Sequence, residues 1–176
     1  MGTDPILDDE LPQIAFIGRS NAGKSSLLNS LTNTKNLAIT SDTPGRTRQL
    51  NIFLINDSHY FVDLPGYGYA KAGFQTLEKL EKLISWYLLD AHYNPAVVLL
   101  IDSLVGPTAD DLAMLTELER AGRNIIVVAN KVDKIPKSQY QHQLKKLATL
   151  IRGHKIYPYS SKTKVGIPEL TNVLLH

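Results

Sequence analysis

The stretch Gly18-Arg-Ser-Asn-Ala-Gly-Lys-Ser-Ser26 places two glycines, a lysine and two hydroxyl side chains directly after an apolar run. Glycines allow several backbone N–H groups to point at one anion, and the start of a helix supplies further unpaired N–H groups. In such a loop Lys24 can reach the outer phosphates of a nucleotide, and the Ser25 hydroxyl can bind Mg²⁺. The spacing therefore predicts a phosphate-binding loop formed by Gly18, Arg19, Ser20, Asn21, Ala22, Gly23, Lys24, Ser25 and Ser26.

A second motif, Asp63-Leu-Pro-Gly66, follows the apolar run 60–62 and so lies where a strand is expected to end. Asp63 can hold a Mg²⁺-bound water, and the N–H of Gly66 can contact the terminal phosphate because no side chain is in the way. Taken alone, this motif is more typical of an ordinary turn after a strand. Its place after the phosphate-binding loop favours a role in nucleotide binding.

Asn130-Lys-Val-Asp133 ends a third apolar run and carries groups that distinguish guanine from adenine. The Asp133 carboxylate can accept hydrogen bonds from N1–H and the exocyclic amine of guanine, whereas adenine offers neither donor. A site built in this way rejects the wrong base by as much as roughly 10⁴–10⁵-fold. Lys131 is expected along the ring face, and Asn130 is expected to connect this loop to the phosphate-binding loop. The alternative is a solvated helix cap, in which Asn and Asp are favoured residues.

A further polar run, Ser160-Ser-Lys162, follows the last predicted strand. The Ser161 N–H can donate to guanine O6, and Lys162 can flank the ring. The predicted guanine-binding residues are therefore Asn130, Lys131, Asp133, Ser160, Ser161 and Lys162. This set favours GTP and GDP over ATP as the ligand.

Strand-like and helix-like segments alternate along the chain, which is typical of a parallel sheet with crossover helices. Strands are predicted at 13–17, 50–55, 59–63, 97–101, 124–129 and 155–159, and helices at 24–32, 77–88, around 112–118, 140–151 and 168–175. Residues 56–58 are predicted to form a hairpin turn. The prediction is an α/β fold with a six-stranded, mostly parallel sheet, one antiparallel edge strand and helices on both faces. One domain is expected at 13–176, after an N-terminal lead at 1–12.

Composition restricts the chemistry available to this chain of 176 residues, of which 43% are hydrophobic and 20% charged. These values are typical of a folded globular domain. The absence of cysteine excludes disulfides, thiol catalysis and cysteine-bound zinc, and it fits a reducing compartment. No apolar run of about 18 residues and no signal-peptide pattern is present, so we expect a cytoplasmic protein without membrane association. The net charge of +2 is too small to indicate nucleic-acid binding by itself.

Two irregular stretches, 36–49 and 64–76, border predicted strands and are long enough to be functional loops. When a third phosphate is bound, a threonine from the first stretch is needed to complete the Mg²⁺ shell. Thr40, Thr43 and Thr47 are all available, and spacing alone does not choose among them.

Taken in order, the motifs GRSNAGKSS, TPGRT, DLPGYGYAK, NKVD and SSK resemble those of translation-factor-related bacterial GTPases. The run Asp63-Leu-Pro-Gly-Tyr-Gly-Tyr-Ala-Lys71 resembles the EngB family in particular, and the similarity covers nearly the whole chain. The resemblance implies a P-loop GTPase domain that hydrolyses GTP, with Gly45 beside the phosphates and Thr47 as the switch threonine. The implied Mg²⁺ set is Ser25, Thr47 and, through a water, Asp63. Because that family is associated with assembly of the large ribosomal subunit, the implied partner is that subunit or its precursor, through rRNA and ribosomal proteins.

The chain departs from the family pattern at two places. Asn130-Lys-Val-Asp133 stands where the family more often has Thr-Lys-Ala-Asp, a change that leaves guanine recognition intact. Leu104 stands where the family usually carries an arginine, which weakens any inference about partner contacts through that loop.

Slow unaided hydrolysis is expected because Tyr67 follows Gly66, where many GTPases carry a glutamine that orients the attacking water. No arginine can be assigned to catalysis from the sequence. In GTPases that resemble this one, an asparagine at the position of Asn21 can help to hold K⁺ against the phosphates. The alternative is that Asn21 only suits the turn.

Other features leave alternatives open. Tyr67 and Tyr69 could contact a partner or pack within the fold, Trp86 is expected in the core or half-buried, and the five histidines lack ligand spacing. A loose basic group forms either a solvated face or an RNA contact; its members are Lys145, Lys146, Arg152 and Lys155. For the whole chain we expect a monomeric switch in ribosome assembly. The alternatives are a stand-alone signalling GTPase with a protein partner and, less favoured, a phosphoryl-transferring kinase.

Overall fold

The computed structural model describes residues 7, 10–32, 50–68, 74–89 and 93–176. The predicted functional stretch 36–49 lies outside the described residues, and with it Gly45, Thr47 and the two other candidate threonines. The same holds for residues 69–73, which include Tyr69. The roles predicted for these residues therefore stay predictions.

The described residues form one six-stranded sheet with the strand order β2-β3-β1-β4-β5-β6. Its strands are β1 (Gln13–Gly18), β2 (Asn51–Ile55), β3 (His59–Asp63), β4 (Ala96–Asp102), β5 (Ile125–Asn130) and β6 (Ile156–Pro158). The edge strand β2 is antiparallel to β3, and every other pair is parallel. The predicted fold class is confirmed.

In the part of the chain that the structure describes, five α-helices cover the two faces of the sheet: α1 (Lys24–Thr32), α2 (Phe74–Leu89), α3 (Ala109–Arg120), α4 (Tyr140–Leu150) and α5 (Ile167–Leu175). One buried cluster unites side chains of α2, α3 and α4, and a second unites side chains of α1 and α5. The central strands β1, β4 and β5 are therefore buried on both faces. This explains why their sequences are continuously apolar and do not alternate between polar and apolar residues. Among the described helices, none is both long and apolar enough to cross a membrane.

The predicted element ends agree with the structure to within a few residues. The turn at 56–58 joins β2 to β3 as predicted, with Asn56 and Asp57 in the left-handed region that these residue types tolerate. The second helix begins at Phe74 rather than at 77, and β6 is two residues shorter than predicted, ending at Pro158. β5 extends to Asn130 instead of ending at 129, because Asn130 still pairs with Asp102 of β4.

Candidate functional site

The predicted site residues follow the carboxyl ends of parallel strands, which lie together at one edge of the sheet. β1 leads into the phosphate-binding loop, β3 ends at Asp63, and β5 ends at Asn130. Phe16 of β1 pairs with Asp63, so the first two motifs are neighbours across a single strand pair. Ser160 follows β6, at the same edge. The fold thus brings the four predicted motifs together.

The phosphate-binding loop connects β1 to α1 in a tight turn. Ala22 N–H donates to Arg19 O at 3.0 Å, and α1 then begins with the bond from Leu27 N–H to Gly23 O, also 3.0 Å. Ser25 and Ser26 lie exposed in the first turn of α1, where the backbone N–H groups have no partner within the helix. Such a helix start is a suitable site for phosphate.

Gly23 is required at its position for two reasons. Its φ of +98° lies in the region that favours glycine. A methyl group at Gly23 would also overlap the side-chain amide of Asn130. The second glycine of the loop therefore makes room for the residue that connects this loop to the next.

Asn130 connects the phosphate-binding loop to the loop after β5. Its Nδ2 donates to Ala22 O at 2.8 Å, and its Oδ1 accepts from the Lys131 N–H at 2.7 Å. The residue is only 1% exposed, so both bonds are protected from water. This is the connection that the sequence led us to expect.

Lys131 makes a second connection that sequence reasoning missed. Its ammonium donates to Asn21 O at 2.9 Å and to Asp102 Oδ2 at 2.7 Å. Burial raises the pKa of the Asp102 carboxyl, but hydrogen bonds from Lys131 and from the Leu104 and Val105 N–H groups outweigh burial, so its pKa lies below the ordinary value. Asp102 therefore carries a stable negative charge that holds Lys131 over the loop.

Asp133 is held by a residue from the other predicted base loop. The Ser160 hydroxyl donates to Asp133 Oδ1 at 2.6 Å, and Ser160 is completely buried whereas Asp133 is exposed. Asp133 lies inside the short 3₁₀ turn Val132–Lys134 and does not cap it, because Lys131 occupies the cap position. The helix-cap alternative therefore does not describe this residue. Ser161 and Lys162 follow directly, half-buried and exposed respectively.

A polar cluster behind the site joins α1 to the loop after β6. The Ser30 hydroxyl donates to Ser26 O at 2.8 Å and accepts from Tyr159 Oη and Lys164 Nζ, each at 2.9 Å. Tyr159 is completely buried, and burial raises the pKa of its hydroxyl. This cluster fixes the base loop relative to the helix that carries Ser25 and Ser26. No sequence motif indicated it.

The predicted metal residues lie at the start of α1 and the end of β3. The Lys24 ammonium forms an ion pair with Asp63 Oδ1, and Asn51 Nδ2 donates to Asp63 Oδ2 at 3.3 Å. Mg²⁺ takes oxygen ligands and keeps several waters, so it needs only one or two protein groups beside nucleotide phosphates. The Ser25 hydroxyl and the Asp63 carboxylate fit such a site.

Gly66 lies against the phosphate-binding loop. A Cβ at Gly66 would come within 3.1 Å of Gly18 O and 3.3 Å of Ser20 N. Tyr67, directly after it, is bonded to the same loop through its backbone: Ser20 N–H donates to Tyr67 O at 3.0 Å, and Tyr67 N–H donates to Gly18 O at 3.4 Å. The segment expected to contact a terminal phosphate is thus attached directly to the phosphate-binding loop.

The Tyr67 side chain packs within the fold, which is one of the two alternatives that the sequence left open. It lies half-buried against the core, and its hydroxyl donates to Asp111 Oδ1 at 2.6 Å. Burial and the neighbouring Asp111 carboxylate raise the pKa of Tyr67 far above its ordinary value, so the hydroxyl remains a donor.

Trp86 and two members of the basic group have partners of their own within the fold. Trp86 is half-buried and packs edge-on against Tyr93, with ring centroids 5.4 Å apart. In the basic group, Arg152 pairs with Glu119 at 2.6 Å, and Lys155 pairs with Glu169 at 3.4 Å. The two basic side chains are exposed, and such pairs are typical of a solvated face.

The sheet order and the motifs at its carboxyl edge define the class of protein: a P-loop GTPase. Residues 13–131 match the model of a family described as 50S ribosome-binding GTPase. The EngB GTP-binding protein of Clostridium perfringens is 45% identical over 170 residues, covering 95% of this chain and 86% of that relative. The chain belongs to the EngB family of GTP-binding proteins.

Solved structures agree with this assignment. The crystal structure of an engB GTP-binding protein superimposes with a TM-score of 0.73 at 25% identity, covering 91% of this chain and 94% of that one. A structure of Era with MgGDPNP and nucleotides 1506–1542 of 16S ribosomal RNA gives a TM-score of 0.64 at 25% identity, covering 93% of this chain and 55% of that one.

Proposed function

We propose that this GTPase is a slow, nucleotide-dependent switch in the assembly of the large ribosomal subunit. It acts as a cytoplasmic monomer, with GTP, GDP and Mg²⁺ as its ligands. The main support for this proposal is that the backbone of Tyr67, directly after Gly66, is hydrogen-bonded to Gly18 and Ser20. Any change at the terminal phosphate would act on a segment that is already bonded to the phosphate-binding loop.

Lys24 would exchange its partner when a nucleotide binds. In the structure its ammonium pairs with Asp63, and the negative phosphates would draw it away from that carboxylate. Asp63 would then accept from a Mg²⁺-bound water, while Ser25 and Thr47 contribute hydroxyl oxygens. Bound Mg²⁺ neutralises charge on the outer phosphates, which is its usual contribution in this class of site.

The guanine base would bind between the loops of Asn130 and Ser160. Asp133 accepts from Ser160 through Oδ1, and because each carboxylate oxygen can accept more than one hydrogen bond, the carboxylate can still accept from N1–H and the exocyclic amine of the base. Lys131, held by Asp102, would cover one side of the ring, with Lys162 flanking it and the Ser161 N–H facing guanine O6. Because Lys131 and Asp133 are already held in place, little side-chain entropy is lost when the base binds, and this favours high affinity.

Slow turnover follows from the position of Tyr67. Its hydroxyl is bonded to Asp111, and a phenol lacks the carboxamide that orients water in many GTPases. In enzymes of this class, an arginine supplied by a partner raises the rate of hydrolysis by a factor of roughly 10³–10⁵. We therefore assign the larger acceleration to the partner, and we propose that K⁺ held against the phosphates by the Asn21 carboxamide adds a smaller one.

A ribosomal partner is supported by two comparisons. The matched family is described as 50S ribosome-binding, and the Era structure contains a segment of ribosomal RNA. A kinase role has no support from the comparisons, because the matched family and the similar relatives are described as GTPases or GTP-binding proteins.

Sedimentation with isolated large and small ribosomal subunits tests the proposal. We expect the protein to sediment with large subunits when a non-hydrolysable GTP analogue is present and to be released with GDP. Lys24→Ala, which removes the phosphate contact, serves as a control for nucleotide dependence. Absence of binding in every nucleotide state would contradict the ribosomal role and favour the signalling alternative.

A further inference from the structure

A groove of about 550 Å³ lies between α2 and α3, beside Tyr67. Three apolar lining residues, Leu77, Ile84 and Met114, are half-buried or buried and so form its floor. Its rim carries three carboxylates: Glu81 on α2, and Asp110 and Glu117 on α3. Among the described residues that line this groove, no lysine or arginine is present, although the Arg19 side chain lies beside Gly68 at one end of it.

Both helices turn a continuous face toward the groove. On α2 the lining residues are 77, 81, 84 and 85, and on α3 they are 110, 113, 114 and 117. These spacings of three and four residues place each set on one side of its helix. The small side chain of Ala113, which is exposed, leaves room between the two helices. Met114 adds a flexible apolar surface that adapts to different side chains.

The charges of the groove decide what can enter it. Carboxylates on both walls repel the phosphates of RNA and attract cationic side chains. The apolar floor in turn requires apolar side chains on the same ligand. Glu117 pairs with Arg120 at 2.8 Å, but both side chains are exposed, so a ligand cation can replace Arg120 at little cost.

We propose that this groove, which we call the α2–α3 groove, binds a basic amphipathic segment of a protein partner. If the proposed function holds, that partner is a basic protein of the large subunit or its precursor, and RNA contacts lie elsewhere. An amphipathic helix presents apolar side chains along one side and cations beside them, which matches an apolar floor between acidic walls.

The α2–α3 groove is also placed to respond to the nucleotide. Tyr67 and Gly68 form one end of it, and the Tyr67 backbone is bonded to Gly18 and Ser20 of the phosphate-binding loop. A segment lying in the groove would touch the residue after Gly66 directly. Binding there and binding of GTP are therefore expected to influence each other reciprocally.

A synthetic helical peptide of lysine and leucine at amphipathic spacing tests the groove without any ribosomal component. We expect the wild-type protein to bind it, measured by fluorescence anisotropy, and Glu81→Lys/Glu117→Lys to bind at least tenfold more weakly. The matched control, Glu78→Lys/Glu169→Lys, makes the same change in net charge on exposed residues outside the groove and should bind like wild type. Equal weakening in both variants, or in neither, would overturn the proposal. Unchanged GTP hydrolysis and thermal unfolding confirm that the variants fold.

Cross-linking to large subunits then separates this inference from the proposed function. A photoreactive benzoylphenylalanine in place of Ala113 is expected to capture a ribosomal protein through a basic segment when the GTP analogue is present. Capture of rRNA instead would overturn the protein assignment of the groove. If the wild-type protein does not sediment with subunits at all, the proposed function is wrong. The peptide experiment still shows whether the α2–α3 groove binds a basic amphipathic segment.

Discussion

The hydroxyl of Tyr67 donates a hydrogen bond to Asp111 Oδ1 over 2.6 Å, across 44 residues of sequence. Asp111 is 3% exposed and also accepts, through Oδ2, from the N–H and hydroxyl of Thr108 at 2.7 and 2.8 Å. The bond from the Thr108 N–H, together with the bond from the Asp111 N–H to the Thr108 hydroxyl oxygen at 3.3 Å, forms the capping box of α3. The residue after Gly66 is thus joined both to the phosphate-binding loop and to the start of α3.

Tyr67→Phe is expected to lower the free energy of unfolding by about 1–3 kcal/mol, because the bond to a buried carboxylate is lost and Asp111 Oδ1 is left without its donor. Urea unfolding monitored by circular dichroism measures the change. Tyr140→Phe, at the start of α4, serves as a control and should change stability little. A loss no larger than that of the control would show that water replaces the Tyr67 hydroxyl at Asp111.

The sequence was sufficient to predict the sheet, because the apolar runs are long and the loops between them carry turn residues. It was also sufficient to place the four motifs, since parallel strands bring their carboxyl ends to one edge. It did not reveal the Lys131–Asp102 pair or the Tyr159–Ser30 bond, which join residues 29 and 129 positions apart. Such contacts depend on how helices pack on the sheet, and no local pattern encodes them.

Gly23→Ala is expected to lower both stability and nucleotide affinity, because the methyl group strains a positive φ and displaces the Asn130 amide from Ala22 O. Gly122→Ala is the matched control: its φ is +65°, and an added Cβ has no neighbour within 4 Å. The control should lose about 1–2 kcal/mol of stability from backbone strain alone and keep its GDP affinity. Calorimetric titration with GDP measures the nucleotide affinity of both variants and shows whether only Gly23→Ala has lost it. Equal affinities in the two variants would mean that the Asn130 connection is not needed for binding.

Asp133→Asn is expected to weaken GTP binding by at least about a hundredfold and to gain xanthosine triphosphate binding. The amide can donate to the additional carbonyl of xanthine, and its oxygen can still accept from Ser160, so the variant should fold normally. Competition of the two nucleotides against a fluorescent GDP analogue measures both effects. Asp57→Asn, in the turn between β2 and β3, is the control. Wild-type GTP affinity in Asp133→Asn would show that the base site is assigned wrongly.

Thr47→Ala is expected to leave GDP affinity nearly unchanged and to weaken binding of a non-hydrolysable GTP analogue, because the threonine hydroxyl is needed only with a third phosphate. Thr43→Ala tests the alternative left open by the spacing. Titration calorimetry with both nucleotides measures the difference. If Thr43→Ala shows the selective loss instead, the switch threonine is Thr43, and an equal loss for both nucleotides would indicate a folding defect.

Asn21 allows a test of the proposed role of K⁺ in hydrolysis. Its φ of +68° is one that asparagine tolerates, so the turn alone could account for this residue. Its backbone oxygen accepts from Lys131, which leaves the carboxamide as the group that could help to hold K⁺. Glycine keeps the backbone conformation and removes only that carboxamide, so Asn21→Gly separates the two roles better than alanine does.

We expect wild-type hydrolysis to be faster in K⁺ than in Na⁺ at constant ionic strength, on the order of tenfold, which corresponds to about 1.4 kcal/mol of the barrier. Asn21→Gly should hydrolyse GTP at similar rates in the two salts and keep its GDP affinity, because its loop conformation is retained. Release of phosphate under single-turnover conditions measures the chemical step without product release. Equal wild-type rates in the two salts, or a K⁺ advantage that persists in Asn21→Gly, would contradict the role of Asn21 in holding the ion.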